Sequence, residues 1–399
     1  MPTERLFNRI ILIVLDGAGI GEMPDAADWG DAGSDTFGHI LQSRLVRLPN
    51  LQRYGLGNIR PLSGVPPIDQ PVGSYGRCAL LSNGKDTTTG HWEMAGIVLD
   101  QAFPTYPNGF PPEVIDRFVS ATGVSGVLGN LPASGTEIIK ELGTEHVRTG
   151  KPIVYTSADS VFQIAAHEEV VPLERLYEMC ETARRLLDGE HRVGRVIARP
   201  FRGADGSFFR TENRHDYAVP PPSDNLLPAL QGLGLDIVAI GKIASIYDSM
   251  GVTKDLTAKN NVQSIEQTLY AINEKTSGLI FSNLVDFDML YGHRRDTAGF
   301  ASALEQFDER LPEIETAMRD DDLMMITADH GNDPTFRGSD HTREYAPILV
   351  YGKRAAAVDL GTRASLADIG QTVAENFGLR LSAGTSFLQE ITTHTTPLA

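Results

Sequence analysis

Residues 9–16 read Arg-Ile-Ile-Leu-Ile-Val-Leu-Asp. The six residues Ile10–Leu15 form the longest unbroken apolar run in the chain. A membrane helix needs about 18 such residues, so this run does not span a bilayer. It is also too evenly apolar for a strand with one wet face. It predicts a strand buried on both sides and ended by a carboxylate. The same pattern recurs at Asp236–Ile240, Leu279–Val285, Leu323–Thr327 and Ile348–Tyr351. Helical patterns lie between several of these runs. Phe300, Leu304, Phe307, Leu311, Ile314 and Met318 recur at intervals of four and three, an amphipathic stripe that packs on a core. Pro312 marks a place for that helix to kink or restart. Strands alternating with helices predict an α/β fold whose sheet is mostly parallel and flanked by helices.

The middle of the chain reads differently. From 101 to 218 it is rich in Pro and Gly, as in Tyr106-Pro107-Asn108-Gly109, and it has its own strand candidates at Ile153–Tyr155 and Arg195–Ala198. Pro220-Pro221-Pro222 follows as a stiff linker. This predicts a second α/β domain at 101–218, inserted between core segments 1–100 and 219–399. The 399 residues carry a net charge of −17. That field has the wrong sign for a nucleic-acid or anionic-membrane binder. The only cysteines, Cys78 and Cys180, cannot form a disulfide framework, which predicts a reducing, cytoplasmic setting. No exposed apolar stripe stands out, so a monomer is expected.

The chemistry gathers behind the strands. Asp16 follows the first run. Asp286, Asp288 and His293 follow the third, and Asp329 and His330 follow the fourth. Gly338-Ser339-Asp340-His341-Thr342 adds a further histidine. Ligands of open α/β sheets bind at the C-terminal edge. A lone Asp at a strand end is usually a turn former or a cap. Asp329-His330-Gly331-Asn332-Asp333, joined by Asp288, His293 and His341, is too dense for that reading. Carboxylates with imidazoles and no thiolate suit Mn²⁺, Mg²⁺, Zn²⁺ or Fe²⁺. Three Asp and three His exceed what one open catalytic ion needs and suffice for two. A pair of ions clamps the attacking and leaving oxygens of a phosphoryl transfer.

A nucleophile is offered by Gly84-Lys85-Asp86-Thr87-Thr88-Thr89-Gly90-His91-Trp92-Glu93. A helix starting there would point N–H groups at a phosphate, and a metal-bound hydroxyl can attack phosphorus. Chemistry alone does not choose among the three threonines, and a plain N-cap run is the alternative. Lys85 lacks the spacing of a P-loop lysine.

Several stretches together carry a resemblance. Asp16-Gly17-Ala18-Gly19-Ile20-Gly21-Glu22, GKDTTTGHWE (84–93), YTSADS (155–160), AAHEEV (165–170), GRVIARPF (194–201), NRHDY (213–217), NLVDFDMLYGHRRD (283–296), ITADHGNDP (326–334) and SDHTREYAP (339–347) resemble the bacterial phosphopentomutases of the alkaline phosphatase superfamily. The resemblance runs from about residue 8 to 390. It implies an alkaline-phosphatase-like core with an inserted cap, and two Mn²⁺ ions, with Mg²⁺, Zn²⁺ or Co²⁺ as substitutes. Asp288, His293 and His341 would hold one ion. Asp16, Asp329 and His330 would hold the other, with Thr87 bridging toward it as the phosphorylated residue. The chain has Thr88 where the family often has Met. Ser157, Asp159, Arg195, Ile197, Arg210 and Lys242 match the phosphosugar-contacting segments. The implied reaction interconverts ribose 1-phosphate, or its 2-deoxy form, with ribose 5-phosphate through a 1,5-bisphosphate, primed by a bisphosphosugar activator.

Other readings fit less well. A sulfatase needs a Cys-x-Pro-x-Arg segment, which Cys78-Ala79-Leu80 does not supply. A phosphatase or phosphodiesterase would keep the ligands and lack the phosphosugar cap. Metal-dependent phosphoglycerate mutase fits GKDTTTGHWE and NLVDFDMLYGHRRD less well. A non-catalytic binding protein would have no use for a nucleophile beside six ligands.

Overall fold

The run that opens at Arg9 lies at the centre of an eight-stranded sheet. A computed structural model describes residues 5–157, 160–204 and 207–392. The chain divides into two compact units, one of Met1–Ala102 with Pro221–Ala399 and one of Phe103–Pro220. The described residues form fourteen strands, numbered here in chain order. The first unit contributes β1 (Arg9–Leu15), β2 (Ser74–Cys78), β9 (Asp236–Ile240), β10 (Lys254–Leu256), β11 (Gly278–Leu284), β12 (Asp322–Thr327), β13 (Ala346–Tyr351) and β14 (Asp359–Arg363). Their spatial order is β10-β9-β11-β1-β12-β13-β2-β14. The five strands from β10 to β12 are parallel, whereas β13 runs antiparallel to both β12 and β2. Every aliphatic residue of Ile10–Leu15 is at most 1% exposed. Each such side chain contributes roughly 1.5–3 kcal/mol on burial, which fixes β1 as the middle of the sheet.

The predicted amphipathic helix forms as Thr297–Ala317 and runs without interruption through Pro312. It does not restart there. Proline cannot donate to the carbonyl of Asp308 four residues back. Asn50 Nδ2 donates to that carbonyl instead, at 2.9 Å. A side chain from elsewhere in the fold thus offsets the missing helix bond.

The second unit has its own sheet, β3 (Leu128–Pro132), β4 (Ile153–Thr156), β5 (Val161–His167), β6 (Arg195–Arg202), β7 (Phe209–Arg210) and β8 (His215–Ala218). The order is β3-β4-β5-β6-β7, and β8 also pairs with β6. Val154, Phe162, Ile164 and Val196 share one core with Phe118 and Leu176 of the helices Pro112–Thr122 and Leu173–Leu186. Ile153, Tyr155, Ala165 and Phe201 pack on Ile138 and Ile139 of the helix Gly135–Thr149. Both sheet faces are therefore covered by helices, as alternating β and α elements require. Among the described residues, no helix is long and apolar enough to cross a membrane.

Candidate metal centre

Three adjacent parallel strands, β11, β1 and β12, finish level with one another. Leu15 pairs with Leu284, and Val14 with Thr327. Each chain then leaves the sheet at the same edge with an acidic residue. After β1 the backbone turns at Gly17, whose φ of +76° strains any L side chain. A Cβ there would lie 3.0 Å from the Asn332 Cβ and 3.5 Å from Asp288 Oδ1. The Gly17 N–H donates to Asp329 Oδ1 at 3.0 Å, so this turn also aims a neighbouring carboxylate. After β11 the chain makes one wide turn, a π-helix over Phe287–Gly292. Its i to i+5 bond, from His293 N–H to Asp288 O at 3.0 Å, stacks Asp288 and His293 on one side.

The candidate ligand atoms converge in two overlapping groups, Asp288 with His293 and His341, and Asp16 with Asp288 and His330. Within each group they lie inside 4.8 Å of one another. His341 Nε2 is 3.2 Å from both Asp288 Oδ1 and His293 Nε2. His293 Nε2 is 3.3 Å from Asp288 Oδ2. His330 Nε2 lies 3.2 Å from Asp329 Oδ2 and 3.5 Å from Asp16 Oδ1. The far side of two rings is already used. His293 Nδ1 faces the Ser339 carbonyl at 2.7 Å and His330 Nδ1 faces the Gly331 carbonyl at 3.1 Å. A proton held on each Nδ1 leaves Nε2 as the ligand atom, the usual outer-shell arrangement of metal histidines.

Thr87 enters from the side, as the first residue of the helix Thr87–Met94. Asp86 caps that helix, its Oδ1 accepting from Thr89 N–H at 3.1 Å and its Oδ2 from Thr89 Oγ1 at 2.5 Å. Two of the three threonines are thereby distinguished. Thr89 is buried and spent on the cap. Thr87 Oγ1 is 3.2 Å from His330 Nε2 and 3.4 Å from Asp16 Oδ1. Gly90 allows the helix this close, because a Cβ there would lie 2.1 Å from the Asp329 carbonyl oxygen. Lys85 is tied to Asp31 at 2.9 Å and Asp340 at 3.1 Å.

Charge decides what the cluster can hold. At the opposite edge of the same sheet, buried Asp322 is gripped by the buried Arg9 fork at 3.0 and 2.5 Å. At the ligand edge Asp16, Asp288 and Asp329 are all buried, and the Lys242 ammonium lies 3.7 Å from Asp16 Oδ2. Burying a carboxylate costs several kcal/mol unless it is paired. Burial works against the charge on Asp288, yet the His341 and His293 imidazoles hold its carboxyl well below the usual range. His330 and His91 do the same for Asp329. Burial would strip the proton from His330, but Asp329, Asp16 and Asp288 raise its pKa well above the ordinary value. Protons and divalent ions compete for such a site. Asp329 Oδ2, buried and without an aligned hydrogen-bond donor, marks where a cation fits.

The other named residues are placed as follows. Lys242, just past β9, joins the metal edge through Asp16. Arg195 and Ile197 lie two apart on β6, and Arg210 lies on β7. Ser157 follows β4, and Asp159 lies outside the described residues. Asp286 faces away from the cluster, where its Oδ2 accepts from Asn261 N–H at 2.8 Å at the start of the helix Asn261–Asn273. Asp333 accepts from Asp35 N–H at 3.0 Å and Thr335 N–H at 2.8 Å, holding loops together. Sequence reading passed over Asn332, whose Nδ2 donates to Asp288 Oδ1 at 2.7 Å, and also His91 and Asn283. Only Asn283, inside the apolar strand β11, carries a local signal, whereas Asn332 and His91 lie in polar segments.

Fold and ligand set together define a metal-dependent α/β enzyme. A family model described as the Metalloenzyme superfamily matches residues 8–381. The chain is 58% identical over 386 residues to phosphopentomutase of Desulfitobacterium hafniense (strain DSM 10664 / DCB-2), covering 96% of this chain and 99% of that one. It is 56% identical over 387 residues to phosphopentomutase of Symbiobacterium thermophilum, covering 96% and 98%. The chain belongs to the phosphopentomutase family, a family of isomerases. Its fold is also similar to that of Leishmania mexicana phosphoglycerate mutase, with a TM-score of 0.51 and 13% identity over 96% of this chain and 98% of that one. At that identity the likeness concerns the fold alone.

Proposed function

We propose that the chain interconverts ribose 1-phosphate or its 2-deoxy form with ribose 5-phosphate, passing one phosphoryl group through Thr87. The observation that carries this reading is the Thr87 hydroxyl, at a helix N-terminus and within 3.4 Å of two ligand groups. Bound Mn²⁺ ions, held by Asp288, His293 and His341 and by Asp16, Asp329 and His330, would lower the hydroxyl's pKa and neutralise phosphate charge. Phospho-Thr87 gives its phosphoryl group to the free sugar hydroxyl. The bond from phosphorus to Thr87 Oγ1 breaks, a bond to the sugar oxygen forms, and the sugar hydroxyl's proton ends on the freed Thr87 Oγ1. The product is a 1,5-bisphosphate. Thr87 Oγ1 then takes the opposite phosphoryl group, and the monophosphate isomer departs. A bisphosphosugar activator supplies the first phosphoryl group.

A mutase must favour a sugar hydroxyl over water, so the sugar has to be gripped. The second unit has the chemistry for that. Tyr155, Gln163, Ile197 and Asp216 form one cross-strand row, so Arg195 and Arg199 share its face. Arg199 Nε donates to Gln163 Oε1 at 3.1 Å. Burial, then the charges of Arg214 and Arg210, lower the Arg199 pKa to about 10. Arg214 is forked onto Asp216 at 2.6 Å. A surplus of guanidinium over carboxylate suits the far phosphate of a phosphosugar.

The reading is tested by incubating the purified chain with ribose 1,5-bisphosphate and mapping phosphate by mass spectrometry. Phosphate on Thr87, with loss of essentially all mutase turnover in a folded, Mn²⁺-binding Thr87→Ala variant, is the expected result. Phosphate on Thr88 or Thr89, or turnover by Thr87→Ala, contradicts it.

A further inference from the structure

The three groups that place the second cation, Asp16, Asp329 and the first turn at Thr87, come from three separate elements. We propose that Asn283 and His91 form a buried bridge that sets the spacing of these groups, as positioning residues that touch neither substrate nor metal. The proposal rests on the two-cation reading above.

Both side chains are fully buried. Asn283 Nδ2 is 3.1 Å from Asp16 Oδ2 and 3.2 Å from His91 Nε2. One amide group thus spends a hydrogen on each neighbour. The opposite amide orientation would turn Asn283 Oδ1 onto the Asp16 carboxylate, where two acceptors repel. Because Nε2 of His91 receives a donor, its ring proton sits on Nδ1. Nδ1 in turn lies 2.8 Å from the Thr87 carbonyl oxygen and 3.1 Å from Asp329 Oδ2. The ring cannot easily swing away. It stacks on Phe281 with centroids 5.9 Å apart, and Tyr247 Oη donates to the His91 carbonyl.

The path therefore runs from Asp16 through Asn283 and His91 to Asp329 and to the backbone of the nucleophile's own residue. If packing alone were needed, apolar residues would fill this volume with no polar groups to desolvate. A polar bridge in which the amide nitrogen and both ring nitrogens meet partners specifies geometry. Outer-shell partners of this kind typically change metal affinity or activity 10- to 100-fold when removed.

The test titrates Mn²⁺ alone into wild type, His91→Asn and His91→Gln, and measures kcat and KM for ribose 5-phosphate. The Asn amide reproduces a donor at the Nδ1 position. The Gln amide reaches only the Nε2 position and leaves the Thr87 carbonyl without a donor and Asp329 without a neighbouring imidazole. His91→Asn is expected to stay within about threefold of wild type. His91→Gln is expected to lose at least about tenfold in affinity for one Mn²⁺ and at least about tenfold in kcat, with the other Mn²⁺ and KM unchanged. Equal behaviour of the two variants overturns the proposal. So does parallel weakening of both Mn²⁺ sites, or loss of a cooperative melt in His91→Gln, since each marks the bridge as scaffold only. Two Mn²⁺ bound by wild type and by both variants alike defeats the bridge and leaves the two-cation reading standing. Fewer than two bound by wild type defeats both.

Discussion

Glu344 shows how one buried residue tunes this edge of the sheet. Its Oε2 accepts from Gly21 N–H at 3.2 Å and Thr36 N–H at 2.8 Å, and its Oε1 from Thr36 Oγ1 at 2.8 Å and Thr342 Oγ1 at 2.7 Å. Burial raises its pKa from 4.5 to about 7, against the opposing effect of those donors. The folded-state pKa exceeds the unfolded one, so the folded chain binds the extra proton between the two values. The stability this group contributes is full below the unfolded pKa and fades as pH rises through the folded one. Glu344→Gln cannot titrate. Between about pH 5 and about pH 8, wild type is expected to lose on the order of 3 kcal/mol relative to Glu344→Gln in chemical denaturation. An unchanged difference across that range refutes this assignment. The metal-ligand candidates at this edge were legible in the sequence because each follows an apolar run or sits in a dense Asp-His segment. Glu344, His91, Asn283 and Asn332 were not. Their importance lies in which distant groups they touch, and no local pattern encodes that.

At the scale of elements, the close seat of the helix Thr87–Met94 on the loop after β12 carries the site. Gly90 is helical and has no need of glycine's extra freedom, so Gly90→Ala probes the approach alone. The added methyl would meet the Asp329 carbonyl and push the helix, with Thr87, off the ligands. Overpacking costs roughly 1–3 kcal/mol, and a displacement of about 1 Å costs about 100-fold in rate. Gly90→Ala is expected to melt only a few degrees below wild type and to lose about 100-fold in kcat. Wild-type turnover in this variant would show that the approach is not critical. The central strands could be read directly from their apolar runs. β2 (Ser74–Cys78) and β14 (Asp359–Arg363) could not, because Ser-Tyr-Gly-Arg-Cys and Asp-Leu-Gly-Thr-Arg have no run of β-formers. They become strands by pairing in sequence, β2 on β13 and β14 on β2, so tertiary context overrides local preference. Pro312 illustrates the converse. Local chemistry favoured a break, and Asn50 from another segment removed the need for one.

At the scale of the whole molecule, topology brings together residues spread from position 16 to 341. A parallel sheet forces β11, β1 and β12 to end at one edge, and three acidic residues follow those ends. The two ends of the central strands then differ in kind, with Asp322 matched by Arg9 at one and Asp16, Asp288 and Asp329 gathered among histidines at the other. Divalent ions held there would reverse the local sign and let a chain of net charge −17 take a phosphorylated substrate. The central claim is that six side chains from these distant stretches cage two cations beside Thr87. Anomalous diffraction from crystals grown with Mn²⁺, recorded at the manganese edge, tests it most directly. The account predicts two peaks about 4 Å apart, one bounded by Asp288, His293 and His341 and the other by Asp16, Asp329, His330 and Thr87. A single peak, or two peaks with Thr87 Oγ1 bordering neither, would contradict it.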